Sequence, residues 1–317
     1  MSVKSRMDYH GMLVVHKPKG MVSRDVSRWL HKRLGRQKTG HVGTLDPLAE
    51  GVLPVLFGRA TRLQDHLLGM DKAYEFDVEF GRATDTFDCD GEVIREEPWE
   101  HITEAAIRQS CENYVGFITQ IPPVYSAVKY QGKALFRYAR EGKEGEVPLE
   151  QLARQVHVRA FELLRWEPPF ATFRLECSKG TYVRSLAEVI GKELLSCGMV
   201  NRIVRTESAG VKLEDALSLE EIDQKISDFA SLLVPLEAIE LPILKWRVAS
   251  RSWSEKLKCG QRIVVGPDAW SGGLQKPVEE QRREEILLVG ADGAVFGLGK
   301  VEVENSGIVA VTMRRAL

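Results

Sequence analysis

Cysteine and histidine are scarce in this chain, with five and seven among 317 residues. Cys89, Cys111, Cys177, Cys197 and Cys259 include no C-x-x-C pair and have no histidine at ligand spacing. Such an odd, unpatterned set argues against a disulfide framework and against a zinc site, so no metal is expected and the thiols are expected to be reduced and mostly buried. No apolar run approaches bilayer length, and the opening MSVKSRMDYHGML lacks the apolar region of a signal peptide. A cytoplasmic protein with no membrane contact is expected. Its hydrophobic content of 44% and charged content of 28% are ordinary for a globular chain.

Several nucleotide and catalytic motifs are also missing. GRQKTGHV, from Gly35, has the glycine spacing of a phosphate loop but continues His-Val where Lys-Ser/Thr is needed, so nothing would reach the outer phosphates or magnesium. Asp88, Asp90, Gly91 and Glu97 match part of a calcium loop. Thr86 occupies its first ligand position, and a strand-like segment precedes it where a helix is required. There is no dinucleotide fingerprint, and no G-x-S-x-G turn assembles a serine triad. Cofactor-dependent chemistry is not indicated.

Charge is present but segregated. Net charge is −1, yet residues 1–72 hold 13 Lys or Arg against 6 Asp or Glu, while residues 73–104 hold 2 against 11. A basic face on a nearly neutral molecule is one way to attract phosphates. KYQGKALFRYAREGKEG interleaves Lys129, Lys133, Arg137, Arg140 and Lys143 with Tyr130, Phe136 and Tyr138. That mixture suits bases that stack and phosphates that pair, and equally suits an amphipathic helix with a basic outer face.

The patterning predicts a strand at 12–15, a helix from Ser23 as N-cap to Leu34, a strand at 52–57 and a helix from Thr61 to Leu68. It then predicts a half-buried strand over 73–80, with Tyr74, Phe76, Val78 and Phe80 on one face. A helix over 103–114, strands at 156–165 and 171–177, a helix over 181–195 and one or two helices in 218–240 complete a large α+β unit. From Lys245 short β-like runs broken by glycine predict a small all-β unit, with a polar loop near 268–285.

One loop stands apart. In GHVGTLDPLAEGVLPVLFG, Gly43 and Gly51 permit backbone shapes closed to other residues, and Pro47 pushes Asp46 out of the helical region. An Asp-Pro pair often only starts a turn by bonding its own backbone.

That loop, preceded by HKPKGMVS and followed in order by GRATR, KAYEF, GRATDTFDCDGEV, IPPVYSAVKYQGKALFRYAREG and CSKGTYVRSLAEVIG, resembles the TruB family of pseudouridine synthases over residues 10 to about 210. The segment after 245 resembles the small PUA-type RNA-binding domain. The resemblance implies a pseudouridine synthase fold, with a large mixed, mainly antiparallel sheet. It divides the chain into a catalytic unit, 1–242, with an RNA-gripping insertion at 121–146, and a PUA-like unit, 243–317. It implies isomerisation of a T-loop uridine of transfer RNA by a stand-alone bacterial-type enzyme, a monomer with no cofactor and no obligatory protein partner. The relatives that work inside guide-RNA particles fit less well, for lack of a basic tail.

By the same resemblance Asp46 is the catalytic aspartate, Tyr74 the tyrosine stacked on the target base and Arg184 the arginine paired with the aspartate. His41 fills the place of the flipped nucleotide, while Tyr182 and Ile203 wall the uracil pocket; Ile203-Val204-Arg205-Thr206 departs here from the family's Leu-Arg-Arg-Thr. Lys17 and Lys19 are candidates to touch phosphate or support Tyr74, and Lys129 and Arg137 are candidates to grip RNA. Asp85 is a candidate for a supporting bond to the active site, in an otherwise solvated acidic turn. The competing reading is a non-catalytic RNA-binding or RNA-folding protein that uses the same basic surface.

Overall fold

The strand Lys72–Phe80 buries alternate residues, Lys72, Tyr74, Phe76, Val78 and Phe80, and turns Glu75, Asp77 and Glu79 outward, as its period of two predicts. A computed structural model describes residues 8–35, 37–265, 285–303 and 309–317. The polar loop expected near 268–285 lies outside the described residues up to 284.

In chain order, β1 (Gly11–Lys17) leads to α1 (Ser23–Leu34), β2 (Thr39–His41) and β3 (Glu50–Phe57). A 3-10 turn, Gly58–Leu63, runs into α2 (Gln64–Gly69), then β4 (Lys72–Phe80) and the hairpin of β5 (Arg82–Thr84) and β6 (Val93–Glu96). Helix α3 (Glu104–Asn113) starts where expected because the Thr103 hydroxyl accepts the Ala106 N–H at 3.2 Å. After β7 (Gly116–Gln120) come the short β8 (Lys129–Tyr130), β9 (Lys133–Ala134) and α4 (Leu135–Arg140). The large unit closes with β10 (Arg154–Glu167), β11 (Phe170–Cys177), α5 (Val183–Glu193), β12 (Gly198–Ser208), β13 (Val211–Lys212) and α6 (Leu219–Gln224). The small unit holds β14 (Leu244–Arg247), α7 (Arg251–Lys258), β15 (Ile263–Val265), β16 (Glu285–Val289), β17 (Val295–Val303) and β18 (Val309–Ala316).

The main sheet runs β1-β3-β12-β4-β11-β10-β7, with β2 also on β3 and β13 on β12. Only β12 with β3 is parallel, so the sheet is mixed and mainly antiparallel. Phe76 lies at its centre, stacked on Phe173 at 5.3 Å and Phe161 at 6.1 Å. The small unit has its own five-stranded sheet, β14-β16-β17-β18-β15. Its Leu287, Val289, Leu298 and Leu317 share a core with Met12, Leu56, Leu63 and Leu67 of the large unit.

Sequence patterning does not reveal β12, whose alternation is broken by bulges between Val200 and Arg202 and between Arg205 and Glu207. It also misses α7, whose apolar positions are few; Ser250 caps that helix by accepting the Trp253 N–H at 3.3 Å. Ser23 is no N-cap, since Val22 holds that position and the Ser23 side chain is used elsewhere. Three cysteines are buried, while Cys89 and Cys259 are exposed.

Replacing Phe76 by Ala removes a fully buried ring from the stack and is expected to cost about 3–5 kcal/mol of unfolding free energy. Urea unfolding with an unchanged m-value checks it.

Candidate active site

The Asp46 loop is held from below by groups that leave its carboxylate free. The buried Ser23 hydroxyl accepts the Leu45 N–H at 2.8 Å and donates to the Leu45 carbonyl at 2.9 Å. Gly20 N–H donates to the Pro47 carbonyl at 2.7 Å, and Ala49 N–H closes a turn onto the Asp46 carbonyl at 3.1 Å. Lys17 is fully buried, and its ammonium donates to the carbonyls of Met21 at 2.6 Å, Pro18 at 3.0 Å and Pro47 at 3.4 Å. Lys17 is thus a loop support and not a surface contact for phosphate. Burial pushes it down to about 8 against the opposing pull of Asp46 and Glu50. Lys19, in the same turn, is exposed.

Gly43 and Gly51 bound the loop with φ of 72° and 102°. A Cβ at Gly51 would lie 2.3 Å from the Arg205 carbonyl oxygen, and one at Gly43 would lie 3.1 Å from its guanidinium. The glycines therefore serve both the left-handed backbone and the close approach of β12.

Asp46 does not spend its carboxylate on turn formation. Arg184, on the first turn of α5, meets Asp46 Oδ2 at 2.7 Å. The arginine is buried; the aspartate side chain is 39% exposed. Further bonds run from Arg184 to the carbonyls of Thr86 and Tyr125, both at 2.8 Å, and Asp88 lies 3.5 Å away. Burial raises the Asp88 pKa, with bonds from Thr86 and the Arg184 charge acting the other way. The acidic turn thus reaches the arginine through buried Asp88. Asp85 instead caps the turn, accepting from Glu92 N–H and the Tyr125 hydroxyl.

Asp46, Arg184, Tyr74, Tyr182 and Ile203 line one pocket of about 90 Å³, completed by Thr44, Leu45, Ala49, Thr181 and Val183. Gln120 fixes Tyr182 by accepting its N–H at 2.7 Å and donating to its carbonyl at 2.9 Å. The Arg154 guanidinium lies 5.2 Å from the Tyr182 ring centre. Tyr74 is buried, which pushes its phenol up to about 12 although Arg205 pulls it down. It is a neutral hydroxyl at pH 7.

His41 is outside these walls, with Thr44 Oγ1 at 3.3 Å on one ring nitrogen and Ser27 Oγ at 3.5 Å on the other. Burial and then Arg205 lower its pKa, which keeps the ring neutral. Lys129 and Arg137 are exposed on the insertion, away from the pocket walls. The aromatic interleaving beside them does not form an open stacking face. Tyr138 packs with Leu135 and Val147 in a small core of its own, against partly buried Tyr130, and Arg140 covers Phe136 at 5.5 Å. Among the described residues no set of His, Cys, Asp and Glu converges as a metal site.

Sequence reading missed Ser23, Lys72, Asp88, Gln120 and Arg205, all buried polar residues around this pocket. Two left a trace: Lys72 begins the inward series of β4, and Arg205 follows the apolar pair Ile203-Val204.

A family model described as TruB family pseudouridylate synthase (N terminal domain) matches residues 31–183. The tRNA pseudouridine synthase B of Geobacillus kaustophilus is 40% identical over 259 residues, covering 79% of this chain and 89% of that protein. That of Ralstonia nicotianae is 36% identical over 302 residues, covering 86% and 94%. Among solved structures, a chain from the crystal structure of a Cbf5-Nop10-Gar1 complex superposes with a TM-score of 0.72 at 25% identity, covering 97% of this chain and 84% of that one.

Ser23→Ala would leave the Leu45 N–H and carbonyl without partners beside Asp46. The expected loss is about 1–3 kcal/mol of stability, read by thermal or urea unfolding.

Proposed function

This chain belongs to the TruB family of pseudouridylate synthases, and from that premise we propose that it isomerises the T-loop uridine of transfer RNA, position 55, with Asp46 as its reactive carboxylate. The observation that carries the reading is the Asp46–Arg184 pair at 2.7 Å in a pocket walled by Tyr74, Tyr182 and Ile203.

The reaction breaks the bond from uracil N1 to the sugar and forms one from C5. C5 loses a proton and N1 gains one, so substrate and product are isomers and no electrons or groups are supplied from outside. One carboxylate serves either as nucleophile at the sugar carbon or as base toward a sugar proton, which leaves a glycal. Both routes use the carboxylate as an anion, and the permanently protonated guanidinium of Arg184 pairs with it and orients it. Tyr74 gives the detached uracil a face to stack on, a contact of about 1–3 kcal/mol, while the base turns.

Lifting the base from the T-loop costs a few kcal/mol. In this reading His41 offsets part of that cost by occupying the vacated space, and its neutral ring suits stacking between bases. Lys129 and Arg137 contact phosphate from the insertion, as does Lys19 from the 18–20 turn. Residues 1–242 form the catalytic unit and 243–317 the RNA-binding unit, acting as a monomer in the cytoplasm without an obligatory protein partner. A non-catalytic binder would have no use for a half-open carboxylate among RNA phosphates, so that reading is set aside.

Wild-type protein is expected to release tritium from transfer RNA labelled at uracil C5. Asp46→Asn should reduce release to background, as should a cytidine at the target position; tight, salt-sensitive RNA binding without release would overturn the reading. Tyr74→Phe tests whether the phenol assists loss of the C5 proton, through water since the hydroxyl is neutral. Turnover should fall about 10-fold or more, and undiminished turnover would remove that role.

A further inference from the structure

Arg205 is 1% exposed, and among the described residues it pairs with no carboxylate. Its backbone position in β12 is opposite Tyr74 of β4 on one side and Gly51 of β3 on the other. The side chain donates through Nε to the Val52 carbonyl at 2.8 Å and through Nη2 to the Gly43 carbonyl at 2.9 Å, and its charge acts on the Tyr74 phenol beside it. Those two carbonyls stand at the two ends of the loop that carries Asp46.

We propose that Arg205 is a positioning residue of this enzyme, a single rigid guanidinium that sets the spacing between the base-stacking Tyr74 and both ends of the Asp46 loop. The inference rests on the isomerase reading and adds to it a residue outside the pocket walls.

Three physical arguments support it. A guanidinium is planar and has donors only, so the two carbonyls it bonds are held in a fixed plane. A buried cation without a carboxylate partner costs several kcal/mol of desolvation, so an apolar side chain would serve stability better. The space is tight on both sides of the residue: a Cβ at Gly43 would come within 3.1 Å of the guanidinium, and one at Gly51 within 2.3 Å of the Arg205 carbonyl oxygen. Lys72, the next inward residue on β4, bonds the carbonyls of Leu68 and Met70 and so does not share these acceptors.

The test is a double-mutant cycle of Arg205→Met and Tyr74→Phe, with Arg205→Lys alongside. Single-turnover pseudouridine formation, RNA affinity and unfolding midpoint are measured for each. A displacement of about 1 Å at a reacting group is enough for roughly a 100-fold loss. Arg205→Met should therefore lower the single-turnover rate about 100-fold while RNA affinity stays within about 3-fold, because phosphate contacts dominate binding. Tyr74→Phe should have little further effect once Arg205 is gone. Arg205→Lys, which keeps the charge and bulk but not the planar fork that spans both carbonyls, should fold normally and lose about 10-fold in rate.

Multiplicative effects of the two substitutions, or a wild-type rate in Arg205→Lys, would overturn the proposal. If Arg205→Met does not fold, the lysine variant decides alone. An inactive wild type would instead defeat the isomerase reading, and the two failures are told apart by the wild-type rate.

Discussion

The ion pair between Asp46 and the buried Arg184 is the contact around which this structure is organised. The burial of that guanidinium is compensated by the Thr86 and Tyr125 carbonyls and by Asp88. The 39% exposure of the Asp46 side chain leaves one side of the acid open. The four partners of Arg184 come from three segments, so the stretch around Tyr125, the 84–90 turn and the Asp46 loop meet on one guanidinium.

The sheet explains how parts distant in sequence reach that point. β3 and β4 do not touch directly; β12 lies between them and is parallel to one and antiparallel to the other. The Asp46 loop enters β3 and Tyr74 sits on β4, so β12 determines their separation. Ile203 and Arg205 occupy the stretch of β12 between its two bulges, where Ile203 lines the pocket and Arg205 stands opposite Tyr74. Between the bulges the register is regular, so Ile203 and Arg205 face one side and Val204 the other, and all three are buried because both faces of the strand are covered there.

That device is also why the sequence was only partly legible. The β4 alternation, the Thr103 cap and the long strands β10 and β11 obey local rules and could be read from them. The Asp46 loop was legible as a shaped turn because its glycines and proline constrain the backbone directly, whereas its role came from the resemblance of ordered motifs. Ser23 has the sequence signature of a helix cap, and only the fold shows its hydroxyl given to Leu45. Asp88 and Asp85 are indistinguishable as types in an acidic turn; three-dimensional placement makes one a partner of Arg184 and the other a turn former. For Tyr138 the sequence leaves base stacking and an amphipathic helix equally open, and the helix is what forms, since a short insertion needs some core of its own and takes it from the aromatics at hand.

Lys17, Lys72 and Arg205 share a feature that stability alone does not account for. All three are buried near the pocket, and their donors go to backbone carbonyls. Burial lowers the pKa of each, which is the sign of a cation held at a cost. Bonds from a charged donor return about 1.5–3 kcal/mol apiece, and desolvation takes several kcal/mol per ion, so the net gain is small. What the arrangement provides is order: Lys17 joins residues 18, 21 and 47, Lys72 joins 68 and 70, and Arg205 joins 43 and 52. An apolar residue could fill the same volume but could not specify where those carbonyls point. A loop that presents a half-open carboxylate to a pocket needs that specification more than it needs stability, and sites of function are where local rules of burial are expected to be broken.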